Sequence, residues 1–353
     1  DMRTRAGPRG RRAVRLESKA AYNGGLFILS LDHMPTGCGL WPAFWMVGDA
    51  PGHPWPEHGE FDIIEGVHMS ERVQSTLHTT KGCDQWSVES GKDFLGEWQM
   101  GAWGTEARNC YVKAPGQWQN QGCAQVGPSG SMGTPFNAKG GGTFAAEWGP
   151  LSGHFRTWFW PRGLEPTDIM DGRPEPWTWG LPFSFFRLTP QTCPREHFKD
   201  MRMVFDLTFC GDWGGATYTM NCPIHASRMS CQQLVQNHPE EMSAAYWSIR
   251  SLDVYHWQQP VKQTHTGTTT STATTTVTTV TTSSTSTSTG SETTTTSTTP
   301  ARYRADVVHE VIFQLLGKKQ THHKEYQSSA QPYQSSAQPY QSSARAPAGP
   351  SVL

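Results

Sequence analysis

The tryptophan and cysteine residues of this 353-residue chain all lie in its first three quarters. All 15 tryptophans and all 8 cysteines precede Lys262, whereas residues 264–300 are dominated by threonine and serine. Because such a tract has almost nothing to bury, it cannot form a core. We therefore expect one globular domain over residues 14–257, preceded by a disordered basic lead over residues 1–13.

The sequence after this domain divides into a linker and a low-complexity tail. The linker, residues 258–300, is predicted to be a disordered, O-glycosylated stalk. In the tail, residues 301–353, apolar side chains of residues 306–319 share one helical face and predict a short helix. A polar heptad, YQSSAQP, follows at Tyr326, at Tyr333 and, in a variant form, at Tyr340. It lacks the apolar seam of a coiled coil, so disorder is predicted there too.

Charge and cysteine usage exclude several classes of partner. The net charge of −1 at pH 7 argues against nucleic acid, and no apolar run is long enough for a membrane span. An even number of cysteines without a CxxC pair favours disulfides over a metal site, with roughly a hundred pairings left open. We expect a secreted, extracellular monomer without metal or cofactor, although the sequence given, which starts at Asp1, includes no signal peptide.

Short apolar runs separated by glycine and proline recur throughout residues 14–257. Strands at this density are typical of an all-β sandwich, and we find no helical periodicity in this region. The long connection over residues 86–131 is expected to be held by disulfides. The predicted strands are 25–33, 41–47, 60–67, 75–80, 144–148, 155–160, 183–188, 203–209 and 251–257.

Three acids in the segment GEFDIIEG carry the chemistry that this sequence predicts. Side chains alternate along a strand, so Glu60 and Asp62 share one face while Glu65 would point to the other. One extra residue at the Ile63–Ile64 pair, a β-bulge, would return Glu65 to the face of the other two. The two glutamates would then approach the separation of about 5–5.5 Å that characterises retaining glycoside hydrolysis.

Three neighbouring carboxylates cannot all ionise cheaply, so one must keep its proton near neutral pH, as a general acid requires. The alternative is a solvated acidic edge strand, which fits poorly because bulky apolar residues alternate with the acids. The acids therefore favour catalysis.

Around these acids the sequence resembles glycoside hydrolase family 16, specifically its laminarinase-like branch with the ExDxxE motif and the fungal-type endo-1,3(4)-β-glucanases. The resemblance covers residues 14–255. Its ordered segments are GCGLWPAFWMVG, GEFDIIEG, STLHTT, FNAKGGGTFAAEW, WFWPRGLEPTDI, VFDLTFCGDWGG and AAYWSIRSLDVY.

The resemblance implies a concanavalin A-like jelly-roll β-sandwich that cleaves β-1,3 or mixed β-1,3/1,4 glucan with retention and without a cofactor. By position, Glu60 resembles the nucleophile, Glu65 the acid/base and Asp62 the residue that holds the protonation state of the nucleophile. A transglycosylase shares this chemistry up to deglycosylation and stays open as an alternative. A non-catalytic glucan-binding protein is disfavoured because both glutamates are present.

Further site residues follow from the same resemblance. Trp45 and Trp55 match aromatic positions that line glucose subsites, with core packing as the alternative for Trp45. His78 is expected beside the acids, contacting substrate or Glu65, or else to be structural. Asn137 and glycines 140–142 match a cleft-edge loop, or a plain turn.

Three other features are interpreted more weakly. Trp41 is interpreted as packing, and Asp212 and Trp213 as members of a loop near the cleft. Relatives carry a further N-terminal stretch before the segment matching residues 14–19. The sequence is therefore interpreted as a truncated one that lacks an edge strand. The tail resembles no carbohydrate-binding module.

Overall fold

The structure is a computed structural model that describes residues 2–7, 10–48 and 50–257, together with the short segments 262–264, 296–298, 303–304 and 313–315. The predicted heptad repeats lie outside the described residues, as do most of the linker and of the predicted tail helix.

Two antiparallel sheets dominate the described residues, as predicted for an all-β sandwich. All nine predicted strands are present, with bounds that differ by up to three residues. In chain order the strands are β1 (Val14–Ser18), β2 (Gly25–His33), β3 (Leu40–Gly48), β4 (Glu60–Glu65), β5 (Gln74–His78), β6 (Glu97–Trp98), β7 (Cys123–Val126), β8 (Gly142–Gly149), β9 (His154–Pro161), β10 (Ser184–Arg187), β11 (Met201–Phe209), β12 (Ser248–Trp257), β13 (Lys262–Thr264), β14 (Thr296–Thr298), β15 (Tyr303–Arg304) and β16 (Phe313–Leu315).

The first sheet has the order β16-β1-β11-β3-β4-β5-β7-β6 and the second has the order β10-β9-β8-β2-β12-β15. The 86–131 connection, predicted to lack strands, therefore contributes β6 and β7 to the first sheet. β13 and β14 pair only with each other. Residues 313–315, predicted to be helical, instead form β16, which pairs with β1.

The inner faces of the two sheets form one apolar core. Phe44, Phe61 and Phe205 from the first sheet pack in the same cluster as Phe27 and Phe144 from the second, and all five are at most 2% exposed. Because side chains alternate along a strand, the intervening residues of β3, β4 and β11 face outward from the first sheet. That outer face carries the candidate site.

Five short helices correct the prediction that this region lacks them. They are α1 (Gly133–Ala138), α2 (Thr167–Met170), α3 (Gly211–Asn221), α4 (Pro223–Ala226) and α5 (Cys231–Asn237). In α3 only Gly214 and Tyr218 are buried, so no amphipathic stripe marks it in the sequence. Disulfides fix the last three helices instead. Cys222, between α3 and α4, is bonded to Cys38, and Cys231 in α5 is bonded to Cys210. Both disulfides belong to a small separate core.

Of the other two disulfides, Cys110–Cys123 lies within the long 86–131 connection, as expected, and Cys83–Cys193 fixes the chain just before it. All 8 cysteines are therefore paired, as is usual for proteins from an oxidising compartment. Within the described part of the chain, no helix has the length and apolar character needed to cross a bilayer.

The described part of the basic lead is bonded to the domain, which corrects its prediction as a solvated, disordered terminus. The backbone N–H of Ala6 donates to the carbonyl of Gln236, and Arg11 Nε donates to the carbonyl of Val235 at 2.9 Å. These carbonyls lie in the last turn of α5, where helix carbonyls lack intrahelical donors. The lead therefore supplies hydrogen bonds that the helix end requires.

Candidate active site

A β-bulge in β4 brings the three acids onto one face, as predicted. Between Asp62 and Glu65 the chain advances three residues while its partner β5 advances only two, from Thr76 to Gln74. Ile63 and Ile64 are both buried in the core, at 1% and 0% exposure. The extra residue is therefore absorbed on the inner face, and Glu65 returns to the outer face.

The register with β3 shows how the acids are spaced. Glu60 lies opposite Val47, Asp62 opposite Trp45 and Glu65 opposite Ala43. These partners are successive outward positions of β3, so the acids occupy successive outward positions of β4, about 7 Å apart along the strand. Asp62 therefore lies between the two glutamates.

His78 closes one end of this row. It pairs with Glu60 across β4 and β5, and its Nε2 lies 2.9 Å from Asp62 Oδ2 and 3.7 Å from Glu60 Oε1. His78 Nε2 and Asp62 Oδ2 lie within ion-pair distance, but the two groups are not aligned for a hydrogen bond, and Asp62 Oδ2 accepts none. His78 was expected beside the acids, contacting substrate or Glu65, or else to be structural. It lies beside the acids, and its direct contacts are with Glu60 and Asp62.

Each glutamate accepts a hydrogen bond from one indole. Trp55 Nε1 donates to Glu60 Oε2 at 2.8 Å, and Trp41 Nε1 donates to Glu65 Oε1 at 2.8 Å. Trp55 is 43% exposed, so its ring also presents area to solvent beside Glu60. The interpretation of Trp41 as packing is wrong in this respect, since the indole bonds directly to an acid.

A fourth carboxylate, Asp206, approaches the row from β11. Asp206 lies opposite Ala43, which in turn lies opposite Glu65, so only a small side chain separates the two acids across the sheet. Trp213, predicted to lie in a loop, belongs to α3 and packs edge-on against Trp41 with ring centroids 6.0 Å apart. Asp212, also assigned to a loop, is an exposed residue in the first turn of α3.

Burial and mutual repulsion raise the pKa of all three acids. Burial raises the pKa of Glu60 to about 8, with the charge of Asp62 adding to the effect and His78 opposing it. Burial also raises the pKa of Glu65 to about 8, where Asp62 and Asp206 add and His78 and Trp41 oppose. The pKa of Asp62 is raised by burial and by Asp206. The cluster therefore carries fewer than three negative charges near neutral pH.

The remaining predicted residues lie in different surroundings. Trp45 is half-buried opposite Asp62, and the guanidinium of Arg15 lies 4.7 Å from its ring centroid. Asn137 bonds to the backbone N–H and carbonyl of Met34 at 2.9 Å each and to His33. Its polar atoms are thus engaged within the chain, and its role in substrate binding stays a prediction.

Among the glycines at 140–142, Gly141 has a steric role. A Cβ on Gly141, which has φ +92°, would lie 2.0 Å from the carbonyl oxygen of Leu31. This position therefore excludes any other residue.

One group of side chains has the proximity that a metal ion requires. Ligand atoms of Glu60, Asp62 and His78 all lie within 4.8 Å of one another, and no other such group occurs in the described ranges. Two carboxylates and an imidazole can bind a divalent cation. The same atoms belong to the acid row, so an ion there would compete with proton chemistry at Glu60.

Curated proteins resemble this chain over most of its length. The chain is 38% identical over 250 residues to an endo-1,3(4)-β-glucanase of Arthroderma benhamiae, a match that spans 70% of this chain and 51% of that protein. The match spans between about a third and about half of the length of the curated relatives, from 31% to 54%.

Two solved structures share the fold at substantial identity. Laminarinase 16A from Phanerochaete chrysosporium, with 6-O-glucosyl-laminaritriose in donor and acceptor sites, is 34% identical and covers 72% of this chain and 81% of its own, at a TM-score of 0.62. An elongating GH family 16 β-1,3-glucosyltransferase is 35% identical and covers 67% of this chain and 74% of its own, at a TM-score of 0.56.

Residues 1–255 match the family described as the XgeA-like, catalytic GH16 domain. This range includes the bulged strand, its three acids, His78 and both indole donors. The match spans well over half of the chain. The chain therefore belongs to glycoside hydrolase family 16, as a member of its XgeA-like catalytic group.

Proposed function

We propose that this chain hydrolyses internal β-1,3 linkages of β-1,3 or mixed β-1,3/1,4 glucan, with retention of configuration and without a cofactor. The observation that carries this proposal is the bulged strand, which places Glu60 and Glu65 on one face with Asp62 between them. Two carboxyl groups on one protein face can flank a glycosidic bond, one attacking the anomeric carbon and the other protonating the leaving oxygen, and double displacement requires no further group.

In the first step Glu60 is the nucleophile. Its carboxylate attacks the anomeric carbon, the glycosidic C–O bond breaks, and Glu65 transfers its proton to the leaving oxygen. Both glutamates accept an indole hydrogen bond and His78 favours the anion of each, but only Glu65 also has the charge of Asp206, which favours its protonated form. This asymmetry supports the assignment of the two roles.

In the second step a water molecule attacks the glycosyl ester on Glu60. Glu65, now a carboxylate, accepts the water proton, and Glu60 leaves as a carboxylate. Asp62 is 2% exposed and adjacent to both glutamates. When Glu60 must be ionised, the proton that the Glu60–Asp62 pair retains stays on Asp62.

The substrate class follows from the relatives and from exposed aromatic area beside the acids. The matched proteins are named for β-1,3(4)-glucan or carry a laminaritriose derivative. Trp55 offers a flat ring to a pyranose face, and Trp45 contributes the part of its ring that Arg15 leaves uncovered. Four disulfides support secretion, and we propose that the protein acts extracellularly as a monomer.

A second candidate function is transglycosylation on β-glucan. It is favoured by the 35% identity to an elongating β-1,3-glucosyltransferase. Both reactions form the same glycosyl-enzyme, and they differ only in whether water or a sugar hydroxyl attacks it.

The test is product analysis on laminarin for the parent chain, Glu60→Gln and Glu65→Gln. The proposal predicts reducing ends with the β-anomer formed first in the parent, followed by NMR, and loss of activity in both variants. Laminari-oligosaccharides longer than the supplied substrate would assign the chain to transglycosylation. A folded parent that is inert on laminarin and lichenan would contradict both functions.

A further inference from the structure

Two tryptophans project into solvent outside the acid row. Trp103 is 91% exposed and Trp118 is 62% exposed, the two highest values for any tryptophan in the described part of the chain. A single exposed ring is common on protein surfaces, whereas apolar rings on neighbouring turns form the larger exposed area that marks a contact surface. Neither ring has a role in the reaction described above.

Trp103 sits at the tip of a hairpin that fixes its position. The backbone of Gln99 bonds to Ala124 and Ala107, and the N–H of Gly101 donates to the carbonyl of Thr105 at 2.6 Å. Trp103 itself adopts φ 65° and ψ 15°, a left-handed conformation that a bulky residue rarely takes. The chain therefore holds this exposed ring in an unfavourable backbone geometry, as functional sites often do.

Trp118 lies on an adjoining turn that is bonded to this hairpin. Thr105 Oγ1 donates to the carbonyl of Gly116 at 3.0 Å, and Gln121 Nε2 donates to the carbonyl of Met100 at 3.0 Å. The side-chain oxygen of Gln121 also accepts the backbone N–H of Trp118 at 2.9 Å. The Cys110–Cys123 disulfide closes the loop that carries this turn. We call Trp103, Trp118 and these two turns the tryptophan platform.

The tryptophan platform adjoins the end of the acid row. The loop that carries it ends at Gly122, where a Cβ would lie 2.8 Å from His78 Nδ1. The backbone N–H of Val112, in the same loop, donates to the carbonyl of Thr79, the residue after His78. A glucan chain crossing the strands past Glu60 and His78 would therefore continue onto this loop.

The chemistry of the two turns fits a neutral polysaccharide. Residues 99–104 and 114–122 contain no charged side chain. The second turn carries four amides, of which Gln117 and Gln121 bond within the loop, whereas Gln119 and Asn120 are exposed. A phosphate backbone or an anionic lipid surface would require lysine or arginine here. Flat rings beside neutral amides match the apolar faces and hydroxyl groups of glucose units.

We propose that the tryptophan platform is an accessory binding site for the β-glucan chain, outside the cleft, that holds the polymer while the acids act on it. This proposal rests on the proposed function for the identity of the ligand. Its role concerns polymer affinity and leaves the chemistry at Glu60 and Glu65 unchanged.

The experiment compares Trp103→Ala/Trp118→Ala with the parent and with Trp177→Ala. Trp177 is a matched control, since it is 51% exposed and lies beside Trp179, which packs on β9 of the second sheet. Binding to laminarin is measured by affinity electrophoresis in a Glu60→Gln background, and turnover of a short laminari-oligosaccharide is measured with Glu60 restored. The double variant should lose about tenfold in laminarin affinity and keep its turnover of the short substrate within about twofold.

Other results would overturn the proposal. Laminarin affinity equal to that of the parent, or an equal loss in Trp177→Ala, would show that the platform is not a binding site. An equal loss of laminarin affinity and of turnover of the short substrate would mean that the tryptophans act in the cleft or are needed for folding. Trp103→Phe/Trp118→Phe and a thermal melt distinguish these two cases. If the parent binds laminarin through these tryptophans but does not hydrolyse it, the proposed function fails and the binding site stands.

Discussion

Both sheets bury glutamate side chains on their outer faces, but they balance the charge differently. On the second sheet Glu147, with a side chain 3% exposed, is bonded by Arg156 Nε at 2.6 Å and contacts His154 Nε2 at 2.9 Å. Glu147 and Arg156 are direct cross-strand partners on β8 and β9. On the first sheet Glu60, Asp62 and Glu65 share a single imidazole, that of His78.

This difference in charge balance limits the chemistry that each site can perform. A buried carboxylate beside a guanidinium is stabilised as an anion and can stay ionised. Three carboxylates with one imidazole lack that compensation, so protons supply the missing positive charge. Such retained protons are the requirement for acid catalysis, whereas the Glu147 site holds two strands together.

The largest expected effect separates the two sites by activity. Glu60→Gln should lower kcat on laminarin by at least about 10⁴-fold, because it removes the proposed nucleophile. Glu147→Gln should leave kcat within about twofold, since Glu147 lies on the other sheet. Initial rates at saturating substrate measure both, and a comparable loss in both variants would contradict the division of roles.

The same pair of variants should separate in the opposite sense by stability. Glu147→Gln leaves Arg156 without its carboxylate and should lower the free energy of unfolding by about 2–3 kcal/mol, less than for a fully buried pair because Arg156 is partly exposed. Glu60→Gln relieves repulsion with Asp62 and should leave the free energy of unfolding unchanged or raise it. Urea denaturation provides the measurement, with Trp177→Ala as a surface control. A more stable Glu147→Gln would show that the ion pair does not hold the strands.

The acid row should make stability depend on pH. The pKa of Glu60 and of Glu65 rises from 4.5 to about 8 on folding, so the folded state binds more protons than the unfolded state between these values. The free energy of unfolding should therefore fall as pH rises from about 4.5 to 8, by about 1.4 kcal/mol per pH unit for each extra proton. Glu65→Gln should make the slope shallower, whereas an unchanged slope would assign it to other groups.

The smallest effects concern the neighbours of Glu65. Trp41→Phe removes a donor that favours the anion, so the alkaline limb of the pH–rate profile should move to higher pH. Asp206→Asn removes a charge that favours the proton, so the limb should move to lower pH. Each shift is expected to be roughly half to one pH unit. Shifts in the same direction would contradict the assignment of Glu65 as the acid.

Local patterns in the sequence were sufficient for nine of the strands and for the bulge, but not for β1, β6 and β7. Period-two alternation marks the strands, and the adjacent Ile63 and Ile64 break that alternation where the register shifts. The same reasoning missed α5, although Ser230 and Gln233 form a capping box that the sequence displays. It also missed α3, which has no apolar period to read.

The surroundings of the acids were predicted less completely. Trp55 is five residues from Glu60, so its contact is local, whereas Trp41 reaches Glu65 from the neighbouring strand β3. Asp206 comes from β11, far along the chain, and joins the row only because β11 pairs with β3. A signal was present in the alternation of Asp206 with the buried Phe205, but strand order is required to use it.

The sequence alone determined the fold class and the position of the three acids on one face, because these depend on composition and on spacing within a strand. The tertiary structure decided the disulfide pairs, the partners of His78 and the approach of Trp41 and Asp206 to Glu65. The physical reason is that pKa values and hydrogen bonds depend on distances between strands. Those distances follow from sheet order and register, which residues far apart in the chain set together.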